Sequence, residues 1–255
     1  MERQTPSRWL FGKAPDPQAR FRLFCVPYAG SGASVFRNWS RALPANVEVC
    51  PVELPGRGTR RTEPPFTQLG PLVEAASGAL AEYFDRPFAF FGHSMGALIS
   101  YELARHLGRS QGPQPVHLFV SGCPAPELAD FEVTYHLPEP EFLEELRRLD
   151  GTPKDIFEHP ELLELLLPLL RADFEAFQTY VFVPSGPPLD CGITAFGGSH
   201  DHMVNSVQLA GWRNHTTSSF SAKIFEGDHF FLHKTPTLVL EALSEELRRL
   251  ITLLN

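Results

Sequence analysis

Short, almost wholly apolar runs alternate along the chain with longer stretches in which apolar residues return every three or four positions. Runs of the first kind, at 21–26, 47–52, 88–91, 116–121, 193–196 and 223–225, predict strands buried on both faces, as in a parallel sheet. Stretches of the second kind, at 72–84, 97–107 and 237–254, predict the helices that cover such a sheet. In the last of them Leu240, Leu243, Leu247, Leu250 and Leu254 share one face, and Glu241, Glu245, Arg248 and Arg249 share the other.

From 127 to 188 the alternation lapses into helical pattern without a convincing strand. We read this as an insertion in a single domain spanning 1–255. One helix follows Pro138 and Glu139; another opens at Pro160 and carries Leu162, Leu163, Leu165, Leu166, Leu167, Leu169 and Leu170. A helix apolar all round must be buried or line an apolar cavity. Pattern alone favours plain core over an acyl-binding lid.

Composition narrows the picture by exclusion. The 255 residues are 43% hydrophobic and 20% charged, enough apolar mass for a sizeable core. Lys and Arg number 22 against 30 Asp and Glu, for a net charge of −8, with no basic block to meet a polynucleotide. The start of the chain, residues 1–6, lacks the apolar stretch of a secretory signal, and Pro168 breaks the densest apolar run, so no membrane span is expected. Cys25, Cys50, Cys123 and Cys191 are scattered, with no C-x-x-C pair, which fits reduced thiols in a cytoplasmic protein.

Chemistry enters at Gly92-His93-Ser94-Met95-Gly96. This is G-x-S-x-G, with a strand pattern before it and a helix pattern after it, the setting in which a serine hydroxyl stands exposed on a sharp turn. Such a serine needs a histidine base and an orienting carboxylate, in the order Ser, Asp or Glu, His. His229 follows the last expected strand and is the expected base. Asp201 follows the strand ending at Phe196 and is the expected acid. Asp228 adjoins the base and reads better as a turn residue. His200, Asp201 and His202 lack a further well-spaced ligand for a metal site. His233 reads as a surface neighbour of the base, and His93 as packing or a substrate contact.

An oxyanion hole takes one amide from the residue after the nucleophile, here Met95, and one from the loop after an early strand. Pro27-Tyr28-Ala29-Gly30-Ser31-Gly32 is that loop, and its glycines permit close backbone approach. An ordinary glycine-rich turn is the alternative. A phosphate cradle is not, since neither G-K-[ST] nor G-x-G-x-x-G follows.

Taken together, Pro27-Tyr28-Ala29-Gly30, Leu54-Pro55-Gly56-Arg57, Phe91-Gly92-His93-Ser94-Met95-Gly96-Ala97, Leu118-Phe119-Val120-Ser121-Gly122, Leu170-Arg171-Ala172-Asp173-Phe174 and Gly227-Asp228-His229-Phe230-Phe231 resemble the type II thioesterases of nonribosomal peptide and polyketide synthases. The likeness runs from about 21 to 254. It implies an α/β-hydrolase fold with a helical lid at 127–188. It also implies Ser94, Asp201 and His229 as the triad, Ala29 and Met95 as oxyanion donors, and no cofactor or metal. The substrate it implies is an acyl thioester on the phosphopantetheine arm of a carrier protein, cleared when stalled or wrongly primed. The chain departs from the family pattern at Ser31, Gly58-Thr59, Asp150 and His202, none of them a catalytic group.

Other uses of the same site are a carboxylesterase or lipase, a medium-chain fatty acyl-carrier thioesterase, and an acyltransferase; a scaffold that only docks a partner is disfavoured by the complete triad. Arg57, Arg60 and Arg61 are candidates for a local basic patch that meets an acidic carrier. With no heptad pattern, a monomer is expected.

Overall fold

A parallel strand that is covered on both faces must send alternate side chains into two different cores, and β1 does so. The computed structural model describes residues 8–12, 16, 18–149, 151 and 157–254. Residues 1–6 and Asp150, to which two of the sequence expectations refer, lie outside them. In β1 (Phe21–Val26), Phe24 and Val26 join the core under one face of the sheet, while Phe21, Leu23 and Cys25 join the core under the other.

Five further strands pair with β1 in one fully parallel sheet: β2 (Val47–Pro51), β3 (Phe88–His93), β4 (His117–Ser121), β5 (Gly192–Gly198) and β6 (Phe220–Phe225). Their spatial order is β2-β1-β3-β4-β5-β6. The chain therefore runs outward from β1 to β2, crosses back to β3, and then proceeds to the other edge. Ligand crevices form where the winding reverses, outside the carboxyl ends of the strands. Here the reversal lies between β1 and β3, where Val26 stands in register with Gly92.

α1 (Leu69–Leu80) and α2 (Met95–Arg109) cover one face. On the other face lies α7 (Pro236–Leu253), through Val239, Leu243, Leu247 and Leu250. Leu240 is only partly buried, and Leu254 is exposed beyond the helix end. α1 starts three residues before its apolar periodicity, because Gly70 and Pro71 fall in the first turn, whose amides need no helical partner. β6 likewise starts three residues early. It is an edge strand whose Ser221 and Ala222 are exposed, so its pattern lacks the mostly apolar character of the inner strands.

Between β4 and β5 stand α3 (Glu139–Leu149) and α4 (Pro160–Gln178). Phe142 and Leu146 of α3 pack on Leu163, Leu167 and Leu170 of α4 to make a third, separate core. Pro168 does not end α4, which continues past it to Gln178. Nor is α4 buried all round: Leu165 is 76% exposed and Leu162 41%, against the expectation for so apolar a helix. The short helices α5 (Ser206–Ala210) and α6 (Phe231–Lys234) complete the carboxyl-end surface. Among the described residues no helix is long and apolar enough to cross a membrane.

The four cysteines are free and buried. Burial pushes all their thiols up, Cys191 to about 12, which leaves them poor nucleophiles.

Candidate active site

Ser94 sits between β3 and α2 with φ +52° and ψ −121°, a conformation that costs a non-glycine residue about 1–3 kcal/mol. The surroundings impose it. The Ser94 amide donates to Ser121 O at 2.7 Å, tying the turn to β4. A Cβ on Gly92 would lie 2.0 Å from Gly96 O, and one on Gly96 would lie 2.2 Å from Val26 O. Only glycine fits at either place, so the two outer positions of G-x-S-x-G follow from the closeness of three backbones.

The other sequence-predicted groups come from the same strand ends. Asp201 follows β5 and His229 follows β6, and His229 Nδ1 donates to Asp201 Oδ2 at 2.9 Å. Asp201 Oδ1 accepts from the amides of Met203 (2.8 Å) and Val204 (3.2 Å). Its side chain is fully buried, with both oxygens hydrogen-bonded. His200 turns away, its Nδ1 bonded to Ser199 Oγ at 2.9 Å. Asp228 is the turn residue expected: its carboxylate accepts from the Phe230 amide at 3.0 Å and pairs with Lys234.

Ser94 and His229 line one cavity of about 120 Å³ with Tyr28, Ala29, Leu170 and Phe174. Among the described residues no hydrogen bond joins Ser94 Oγ to His229; a bond between a serine and its base is often long until substrate is bound. Met95 follows the serine and Ala29 lines the same cavity, and neither amide has a hydrogen-bond partner among the described residues. Met95 is the first residue of α2, where amides are free and the helix end is positive. Ala29 precedes Gly30 in a turn closed by Ser31 N donating to Tyr28 O at 3.0 Å; Gly30 supplies the φ of +74° that the turn requires.

Two histidines beside the site are now placed. His93 is fully buried, its Nδ1 bonded to Ser121 Oγ at 2.8 Å and its ring centroid 5.1 Å from that of His229. Burial, reinforced by the nearby His229 and His233, pushes its pKa well below the usual histidine value, so it is neutral packing. His233 is exposed and shares a hydrogen bond of 2.9 Å with Tyr28 Oη.

The arginines expected to form a basic surface patch do not. Arg57 is 5% exposed and forks onto Asp173 of α4, with Nη2 donating to Oδ1 at 2.7 Å and Nη1 to Oδ2 at 2.8 Å. Arg60 is buried as well, paired with Glu63 and lying over the Trp9 ring. Only Arg61 faces solvent. The partners that bury Arg57 and Arg60 are not visible from a local run of basic residues. Glu53 is buried beneath the same loop, its pKa raised by burial, and fills the space a Cβ on Gly58 would need. That accounts for the glycine at Gly58, where φ is +51°.

The sequence alone assigns Asp173 no role, although it stands in the string Leu170-Arg171-Ala172-Asp173-Phe174. The available signal was its position on α4. With Leu166, Leu169, Leu170, Ala176 and Phe177 it shares the inward stripe, where an unpaired charge would be costly.

A family model for the thioesterase domain matches residues 21–247. Linear gramicidin dehydrogenase LgrE of Brevibacillus parabrevis is 45% identical over 248 residues, covering 96% of this chain and 94% of its own length. RedJ, a thioesterase from the prodiginine biosynthetic pathway of Streptomyces coelicolor, superposes with a TM-score of 0.85 at 41% identity, over 92% of this chain and 89% of that one. BorB, the type II thioesterase of the borrelidin biosynthetic cluster, superposes with a TM-score of 0.85 at 34% identity, over 95% of this chain and 99% of that one. The word dehydrogenase belongs to the first relative's name. In this chain the glycines after β1 read Gly30-Ser31-Gly32-Ala33-Ser34-Val35, without the final small residue of a dinucleotide fingerprint.

Proposed function

The chain belongs to the thioesterase family, among the type II thioesterases of nonribosomal peptide and polyketide pathways, and we propose that Ser94, His229 and Asp201 are the groups with which it hydrolyses thioesters. The observation that carries the proposal is His229, held by Asp201 at 2.9 Å, facing the cavity into which the strained Ser94 turn delivers its hydroxyl. Asp201 fixes the proton on Nδ1 and leaves Nε2 as the base. His229 takes the Ser94 proton as Oγ attacks the thioester carbonyl, and the amides of Ala29 and Met95 receive the oxyanion. The C–S bond breaks, His229 returns the proton to the departing thiolate, and water then attacks the acyl-serine by the same route. The products are a carboxylic acid and a free thiol.

The insertion at 127–188 acts in this reading as a lid. Leu170, Phe174 and Phe177 of α4 form much of the cavity wall. At about 120 Å³ the cavity compares with the ~150 Å³ that holds a benzene molecule. The thiol carrier is the phosphopantetheine arm of a carrier domain, met in the cytoplasm by a single copy of the chain. The medium-chain fatty acyl alternative is the weaker one.

One acyl group presented three ways tests the reading: on a holo carrier protein, on free pantetheine, and as the matching oxoester. The expected order of kcat/KM is carrier, then pantetheine, then oxoester. Preference for the oxoester would keep the site but make the enzyme a carboxylesterase. Preference for pantetheine over the carrier would dismiss the carrier as partner.

A further inference from the structure

We propose that Asp173, on the helix α4, is a positioning residue for the oxyanion hole, so that the hole is assembled only while α4 is seated on the β1 loop. The proposal rests on the assignment of Ala29 and Met95 as oxyanion donors. Asp173 Oδ2 accepts from the Gly30 amide at 2.7 Å and from Arg57 Nη1 at 2.8 Å, while Oδ1 accepts from Arg57 Nη2 at 2.7 Å. Arg57 Nη1 also donates to Ser31 O at 3.0 Å. One carboxylate from the insertion thus holds the residue after Ala29 directly, and the next residue through the guanidinium. With the Gly30 amide taken by Asp173, the amide of Ala29, a residue that lines the cavity, keeps no partner among the described residues.

Packing reinforces the polar clamp. A Cβ on Gly30 would lie 2.3 Å from Leu170 Cδ2, and one on Gly56 would lie 3.2 Å from Leu169 Cδ1. Leu169, Leu170 and Asp173 press on two glycine turns, both with positive φ. A buried ion pair is weak support for stability, because desolvation offsets the attraction; its best-attested use is to specify one arrangement over others. Asp173 is 3% exposed and Arg57 5%, so neither charge meets water while the clamp is closed. Arg57 also neutralises a carboxylate that would otherwise oppose an oxyanion forming one residue away. When α4 lifts, the Gly30 amide and Arg57 lose Asp173, and the turn that aims Ala29 loses its anchor. Catalysis is thereby coupled to lid closure, and an acyl group that cannot be enclosed is bound without being cleaved.

The test uses a trifluoromethyl ketone analogue of a pantetheine thioester. Ser94 Oγ adds to its carbonyl carbon, the π electrons move to oxygen, and the serine proton passes to His229, so affinity reports the oxyanion hole. D173A should lower both kcat and affinity for the analogue by about 100-fold, the worth of one oxyanion donor, with KM little changed. D173N, which keeps an acceptor for Gly30, should fall between it and the wild type. Because D173A leaves Arg57 buried without its partner, the double variant D173A/R57M is measured beside it and should show the same loss with a recovered melting temperature. Unchanged analogue affinity in both alanine variants, or a loss confined to KM, would overturn the clamp while the triad stood. Failure of the wild type to carry the analogue on Ser94, read by mass spectrometry, would overturn the triad reading and the clamp with it.

Discussion

Replacing Ser94 by alanine should lower kcat for thioester hydrolysis by about 10⁶-fold, the loss seen when a triad nucleophile is removed from a hydrolase. The residue carries the only hydroxyl that the β3–α2 turn delivers into the cavity beside His229. Alanine inherits the same backbone strain at φ +52° and removes no packing of consequence, so the melting temperature and KM should stay near those of the wild type. A steady-state assay on a pantetheine thioester, with thermal unfolding as the control, separates loss of chemistry from loss of fold. Activity within tenfold of the wild type would mean that another group attacks the thioester.

Asp201→Asn should cost about 10⁴-fold in kcat, and the structure says why so small a change does so much. The amides of Met203 and Val204 require an acceptor at the Oδ1 position, so asparagine must keep its oxygen there and turn its NH2 toward His229. His229 Nδ1 then has to accept, the ring proton moves to Nε2, and the base faces Ser94 with no lone pair. Asp228→Asn supplies the contrast. Its carboxylate bonds the Phe230 amide and Lys234 outside the catalytic chain, so kcat should stay near that of the wild type. Measured side by side, the two variants decide which carboxylate orients the base; a collapse of activity in the Asp228 variant alone would reverse the assignment.

The inner strands were legible because both their faces are buried, which leaves β1, β3 and β4 as almost wholly apolar runs, with Arg22 the one charge inside β1. That Ser94 and His229 meet at one cavity was legible because the chemistry expected of them fixes their order and places them after strands. Asp201 was legible for the same reason, although nothing local distinguished it from Asp228 except that a neighbouring side chain rarely reaches the base. What escaped depends on contacts far apart in the chain. Arg57 reads as a surface charge until Asp173, 116 residues later, is found beneath it. Asp173 gains its role only when α4 is seen to lie on Gly30, 143 residues earlier. Leu162 and Leu165 show the opposite error: apolar side chains on the outer face of α4 obey no periodicity that would announce their exposure.

The central claim is that acyl transfer passes through Ser94. The most direct measurement is to mix the enzyme with an acyl-pantetheine thioester, quench in acid within the first turnovers, digest, and weigh the peptide that contains Gly92-His93-Ser94-Met95-Gly96. The account predicts the mass of that peptide increased by one acyl group, on Ser94, appearing with the first equivalent of thiol and absent from the Ser94→Ala protein. Release of thiol at the full rate, with that peptide never acylated and no acyl-serine preceding the product, would contradict it.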